Sequence, residues 1–237
     1  MKKIVAYILL TLTAFSCKKD NYDPPSSTFS GRITYQGVPI NVSSKDVTFE
    51  LWEPGWGKNG AITVNIKEDG SYAALLFDGN YKLIIPPSQG PFRSITNEET
   101  KNDTMLLTIS GSRTMDIEVM PYYMVRDAKL ELSGTNVVNG SFRLEKIITD
   151  AHERSVETVF LYLNQTQFVD GTNYLARTAV AGADIDPSNV QLSVNVPDVR
   201  SGNGASGDQD YVFARIGVKI AGVEDLLFSE VQQINLK

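Results

Sequence analysis

Apolar and polar residues alternate along most of this chain in short runs, and Gly, Pro, Asn and Asp break those runs. Successive side chains leave a strand on opposite faces, so the pattern predicts an all-β protein. Val47, Phe49 and Leu51 alternate with Thr48, Glu50 and Trp52, and Ile62, Val64 and Ile66 with Thr63, Asn65 and Lys67. Tyr81, Leu83 and Ile85 follow, then Met115, Ile117 and Val119. Later strands are expected at 128–132, 141–149, 155–164, 191–196 and 211–220. In the fourth, Val190, Leu192, Val194 and Val196 oppose Gln191, Ser193 and Asn195. No stretch sustains a 3.6-residue period, so helices should be few and short.

The first residues break this pattern. Met1-Lys2-Lys3 precedes the apolar run IVAYILLTLTAF, then Ser16 and Cys17. About a dozen apolar residues cannot cross a bilayer core of about 30 Å as a helix. Basic residues, a short apolar run and a small residue before a break read as a secretory signal over 1–16. Ala14-Phe15-Ser16-Cys17 resembles a bacterial lipobox. The resemblance implies lipidation at Cys17 and a mature chain tethered to a membrane outside the cytoplasm. The polar stretch 17–28, with Pro24-Pro25, reads as the tether, because proline holds φ near −65°.

Composition narrows the partners. The chain carries 22 basic and 28 acidic residues. Loss of Lys2 and Lys3 with the signal takes the mature charge to about −8, and no basic stripe stands out. Nucleic acid is therefore not an expected partner, since phosphate binding needs clustered Lys and Arg. Cys17 is the single cysteine, so no disulfide braces the fold. The length beyond the signal suits two domains of roughly 100 residues. Their boundary is expected at Pro121-Tyr122-Tyr123, giving domains 29–120 and 121–237, with the tyrosines as packing at the hinge.

Turn chemistry marks the first domain. Gly31-Arg-Ile-Thr-Tyr-Gln-Gly37-Val-Pro39, Asp69-Gly70-Ser71-Tyr72 and Gly79-Asn-Tyr81 set strands against tight turns. Together they resemble the transthyretin-like or carboxypeptidase-regulatory β-sandwich over 29–120. Evenly spaced strands and Asp170-Gly171 lead to an immunoglobulin- or fibronectin-like sandwich for 121–237. The fold class expected is all-β, two sandwiches in series.

The Cys17-Lys-Lys-Asp start, 81–92 (YKLIIPPSQGPF), 121–130 (PYYMVRDAKL) and 210–222 (DYVFARIGVKIAG) carry a wider resemblance. It is to an uncharacterised Bacteroidetes family of two-domain lipoproteins. Such proteins accompany SusC/SusD-type glycan importers, which implies glycan capture at the outer membrane. The outer face is favoured and the periplasmic face stays open.

Candidate chemistry is sparse. His152, the single histidine, lies in a polar segment between strands and reads as a loop residue; G-x-S-x-G is absent. Gly202-Asn-Gly204-Ala-Ser-Gly207 matches G-x-G-x-x-G but precedes a strand pattern, where a dinucleotide site requires a helix. Asp184/Asp186 and Asp208/Asp210 are candidate calcium ligands or solvated turn residues. No cofactor is expected.

The aromatic signal is stronger. Alternation turns Trp52 away from the core, and Trp56 follows in a Gly- and Pro-containing loop. Two such indoles suit stacking on sugar rings, with Glu53, Lys58 and Asn59 nearby to bond hydroxyls. The other reading of both rings is packing at the sandwich edge or the domain interface. The function expected is non-catalytic glycan capture for a SusC/SusD-type importer. The alternative is a protein-binding scaffold or adhesion lipoprotein that binds no sugar.

Overall fold

A computed structural model describes residues 23–44, 46–55, 60–87, 89–197 and 209–236. The first domain contains β1 (Ser27–Tyr35), β2 (Val38–Pro39), β3 (Thr48–Trp52), β4 (Ile62–Asn65) and β5 (Ser71–Leu76). It continues with β6 (Gly79–Ile84), β7 (Phe92–Ser94), β8 (Met105–Ile109), β9 (Arg113–Thr114) and β10 (Ile117–Pro121). One sheet grows around β1, which pairs antiparallel with β2 and β5 and parallel with β9 and β10, while β7 adds beside β10. The other is antiparallel, in the order β4-β3-β6-β8. Phe29, Phe49 and Tyr72 meet between the sheets, with ring centroids 4.9–6.5 Å apart.

The turn residues do what the sequence requires. Gln36 and Gly37 both take positive φ, 51° and 75°, closing the two-residue β1–β2 hairpin. Gly70 has φ 77°, and the Asp69 carboxylate accepts hydrogen bonds from the Ser71 N–H and hydroxyl to close the turn into β5.

The second domain holds β11 (Tyr123–Ser133), β12 (Val137–Lys146), β13 (Val156–Asn164), β14 (Ala176–Ala181) and β15 (Val190–Asn195). β16 (Tyr211–Ile220), β17 (Leu227–Phe228) and β18 (Gln232–Asn235) complete it. β11-β12-β15 faces β14-β13-β16-β17, with β18 also paired to β16. Three strands against five make a sandwich of the immunoglobulin- or fibronectin-like kind. Among the described residues the one helical turn is a 3-10 turn at Gly182–Asp184.

Most alternation expected from sequence holds. Val47, Phe49, Leu51, Val190, Leu192, Val194 and Val196 are all buried. Ile62 departs from it at 40% exposure, because β4 is an edge strand and Ile62 begins it. The short strands β7 and β8 and the edge strand β14 add to those read from sequence.

The two domains share one continuous apolar core. The Phe228 N–H donates to Asn41 O across the seam (3.0 Å), and the Tyr122 N–H to Pro91 O (3.1 Å). Arg215 is 1% exposed and donates to three carbonyls: Ser229 and Val169 in its own domain and Glu68 in the other. Burial draws its pKa down to about 10, which leaves it charged at neutral pH. Tyr122 is buried beneath Arg154, whose Nε donates to the Tyr122 hydroxyl. Tyr122 thus packs at the junction, while Tyr123, also buried, donates its hydroxyl to Arg154 O within the second domain.

Candidate functional site

Strand β3 buries Val47's neighbours Phe49 and Leu51 and turns Glu50 and Trp52 to the outer face of its sheet. Trp52 is half-buried there, and its indole N–H donates to Glu50 Oε2 at 2.9 Å. That bond fixes the ring on the sheet. Register sets Lys82 of β6 beside Trp52, and Leu106 of β8 beyond Lys82. Asn80 lies two residues along, where its amide oxygen accepts from the Thr108 hydroxyl (2.8 Å). The result is an outer sheet face with one oriented indole, a cation, an amide and a hydroxyl. Such a face can stack a sugar ring and bond its hydroxyls.

Glu53 serves a different neighbour. A Cβ at Gly79 would fall 2.5 Å from Glu53 Oε1, and the Glu53 charge acts on the Tyr81 hydroxyl. Burial first, then Glu53, pushes Tyr81 up to about 12. Glu53 is therefore held against β6 rather than extended from the face. Trp56, Lys58 and Asn59 lie outside the described residues, as do Cys17, the glycine-rich segment 202–207 and Asp208.

Asp184 and Asp186 are both exposed; Asp186 accepts from the Ser188 N–H and hydroxyl, which holds its pKa below the ordinary value. Among the described residues no three metal-ligating side chains gather. His152 is exposed in a turn where its backbone N–H donates to Asp150.

Two cavities went unseen in the sequence because their walls come from distant strands. One of about 410 Å³ opens between the sheets of the first domain, with Leu83, Ile85 and Ile117 inside and Glu98, Glu99 and Asp103 at its mouth. A more polar one of about 480 Å³ lies at the domain seam, lined by Arg93, Asp103, His152 and Arg154 among others. Neither places a partly exposed aromatic ring beside its polar groups as the Trp52 face does.

Comparison with known proteins gives a consistent picture. Residues 27–120 match the model of the N-terminal domain of DUF3823, a protein of unknown function, and 123–233 match its C-terminal domain of unknown function. A DUF3823 protein from Parabacteroides merdae is 30% identical, with a TM-score of 0.75 over 90% of this chain and 100% of its own. A second, from Bacteroides ovatus, is 27% identical with the same TM-score and coverage. A Bacteroides uniformis protein provisionally described as carbohydrate-binding is 18% identical, with a TM-score of 0.65 over 89% of this chain and 99% of its own; it shares the fold. No curated protein matches the sequence.

Proposed function

The chain belongs to the DUF3823 family, and from that premise we propose that it is a non-catalytic, lipid-anchored protein that captures glycans at the outer membrane. The observation that carries this reading is Trp52, an indole kept on an outer sheet face and oriented by Glu50. A ring fixed before binding loses little freedom when a sugar stacks on it. The carbohydrate-binding description of the Bacteroides uniformis relative supports the reading at the level of the fold. In it, Cys17 bears the lipid, the stretch 17–28 is the tether, and the second domain spaces or docks the first. A SusC/SusD-type importer receives the captured chain.

A gel containing polysaccharide tests this directly. The full chain in neutral detergent should be retarded by a neutral plant or host polysaccharide, and Trp52→Ala should weaken retention by about fivefold to tenfold. Unchanged retention in Trp52→Ala defeats the assignment of the site.

A specific observation favours a second reading, protein docking on a strand edge. β4 and β5 are the edge strands on one flank of the first sandwich. Ile62 and Leu75 stand exposed there, and Phe168 reaches the same cleft from the second domain. Exposed strand edges pair readily with other chains. Absence of retention by any polysaccharide in a broad panel, with the protein folded, favours this reading.

A further inference from the structure

The outer face of the β14-β13-β16 sheet carries an aromatic floor that the Trp52 reading does not use. Phe160 and Tyr162 alternate with the core residues Val159, Leu161 and Leu163 and stack on each other, with centroids 5.3 Å apart. Tyr162 faces Arg177 of β14 across the ladder, and Phe160 faces Ala179. The Arg177 guanidinium lies 5.5 Å from the Phe160 ring centre and 4.9 Å from that of Tyr174, which is 39% exposed.

Arg215 sits on the same face and makes a useful contrast. It is buried over Phe228 and spends its donors on three carbonyls. Arg177 is exposed at the sheet edge and, among the described residues, takes part in none of the four ion pairs. Asp170, whose charge reaches Tyr162, does not neutralise it. That carboxylate is occupied by the N–H groups of Thr172 and Asn173, the Thr172 hydroxyl and the Asn173 amide. The exposed guanidinium lies by the Phe160 and Tyr174 rings and also acts on the Tyr162 hydroxyl, which holds it on this face. The small exposed side chains of Ala179 and Ala181 leave room above Phe160.

We propose that this face is a second saccharide site, one that takes a uronic-acid residue. The pyranose C–H face lies on Tyr174 and Phe160, and its planar carboxylate meets Arg177 in the paired geometry that a guanidinium favours. The chain's net charge of −6 repels polyanions in general, so attraction has to be local to Arg177. The site stands independently of Trp52.

Affinity electrophoresis of the full chain in neutral detergent tests it, with polygalacturonate, its methyl ester or dextran sulfate in the gel. Polygalacturonate should retard the protein; the neutral ester and the sulfate should do so much less. Arg177→Gln should weaken retention about tenfold or more, the scale of a charge-assisted contact. Tyr174→Ala should weaken it as well, and Arg143→Gln, at an exposed arginine of the opposite sheet, should leave it unchanged. Arg177→Lys, which keeps charge but not the fork, should fall between wild type and Arg177→Gln. Equal retention by dextran sulfate or by the methyl ester overturns the proposal, as does retention that survives Arg177→Gln. No retention by polygalacturonate also overturns it. Loss in Trp52→Ala alone assigns the uronate to the first face and likewise defeats this one.

Discussion

Two arginines on one sheet face show how surroundings choose a side chain's task. Arg215 is enclosed and joins the domains through carbonyls, while Arg177 keeps its charge at the surface. Sequence does not separate them, since both follow aromatic or small residues in alternating runs. Cys17 is the opposite case, because its position behind a short apolar run is informative without any fold. Cys17→Ala removes the thiol proposed to accept lipid. The expected outcome is loss of palmitate labelling and of membrane association on cell fractionation, while labelling that persists contradicts the lipidation site. Trp52 lies between these cases: alternation sent it outward, and only the structure supplied the Glu50 bond that orients it.

At the scale of elements, β1 decides the first sandwich because it pairs on both edges. Gly31 is the point of closest approach: an added Cβ would lie 1.8 Å from the Met115 carbonyl oxygen, with the Tyr72 hydroxyl 2.9 Å away. That hydroxyl donates to the same carbonyl. Gly31→Ala must push two strands apart, and the expected loss is about 1–3 kcal/mol, the usual cost of overpacking. Thermal unfolding measures it; an unchanged Tm means that the strands yield freely at this crossing. The strand β13 shows why the aromatic face was missed. Its run VFLYL is apolar on both sides, core on one and aromatic floor on the other, so a period of two carries no sign of which side is which. Val190–Asn195 has one wet face, and its alternation was therefore legible.

At the scale of the whole molecule, the seam brings carboxylates together from both domains. Asp225 is buried, with its backbone N–H on Gln89 O (3.3 Å), and Gln89 in turn bonds Thr48 and Asp46 O. Burial, then the charges of Asp46 and Glu224, raise its pKa to about 6, and Lys219 opposes the shift. The folded state thus holds this proton more tightly than the unfolded chain. Stability contributed at low pH declines as pH rises from about 4 to about 6, and the penalty then stays constant. Asp225→Asn should raise Tm at pH 7 and give little gain near pH 4. An equal gain at both values would mean that the effect is not the carboxyl's ionisation.

Sequence alone determined the all-β class, the main alternating strands, the tight turns and the outward direction of Trp52. Each depends on neighbours a few residues away: the period of two and the φ demanded at Gly37 and Gly70. Tertiary structure alone decided which arginine is buried, where β13 has two covered faces, what Glu53 touches and how the domains lock. Those outcomes depend on contacts between residues far apart in the chain, such as Arg215 with Glu68 and Asn41 with Phe228. Local periodicity carries no information about such pairings, because they arise only when both sandwiches have closed and met.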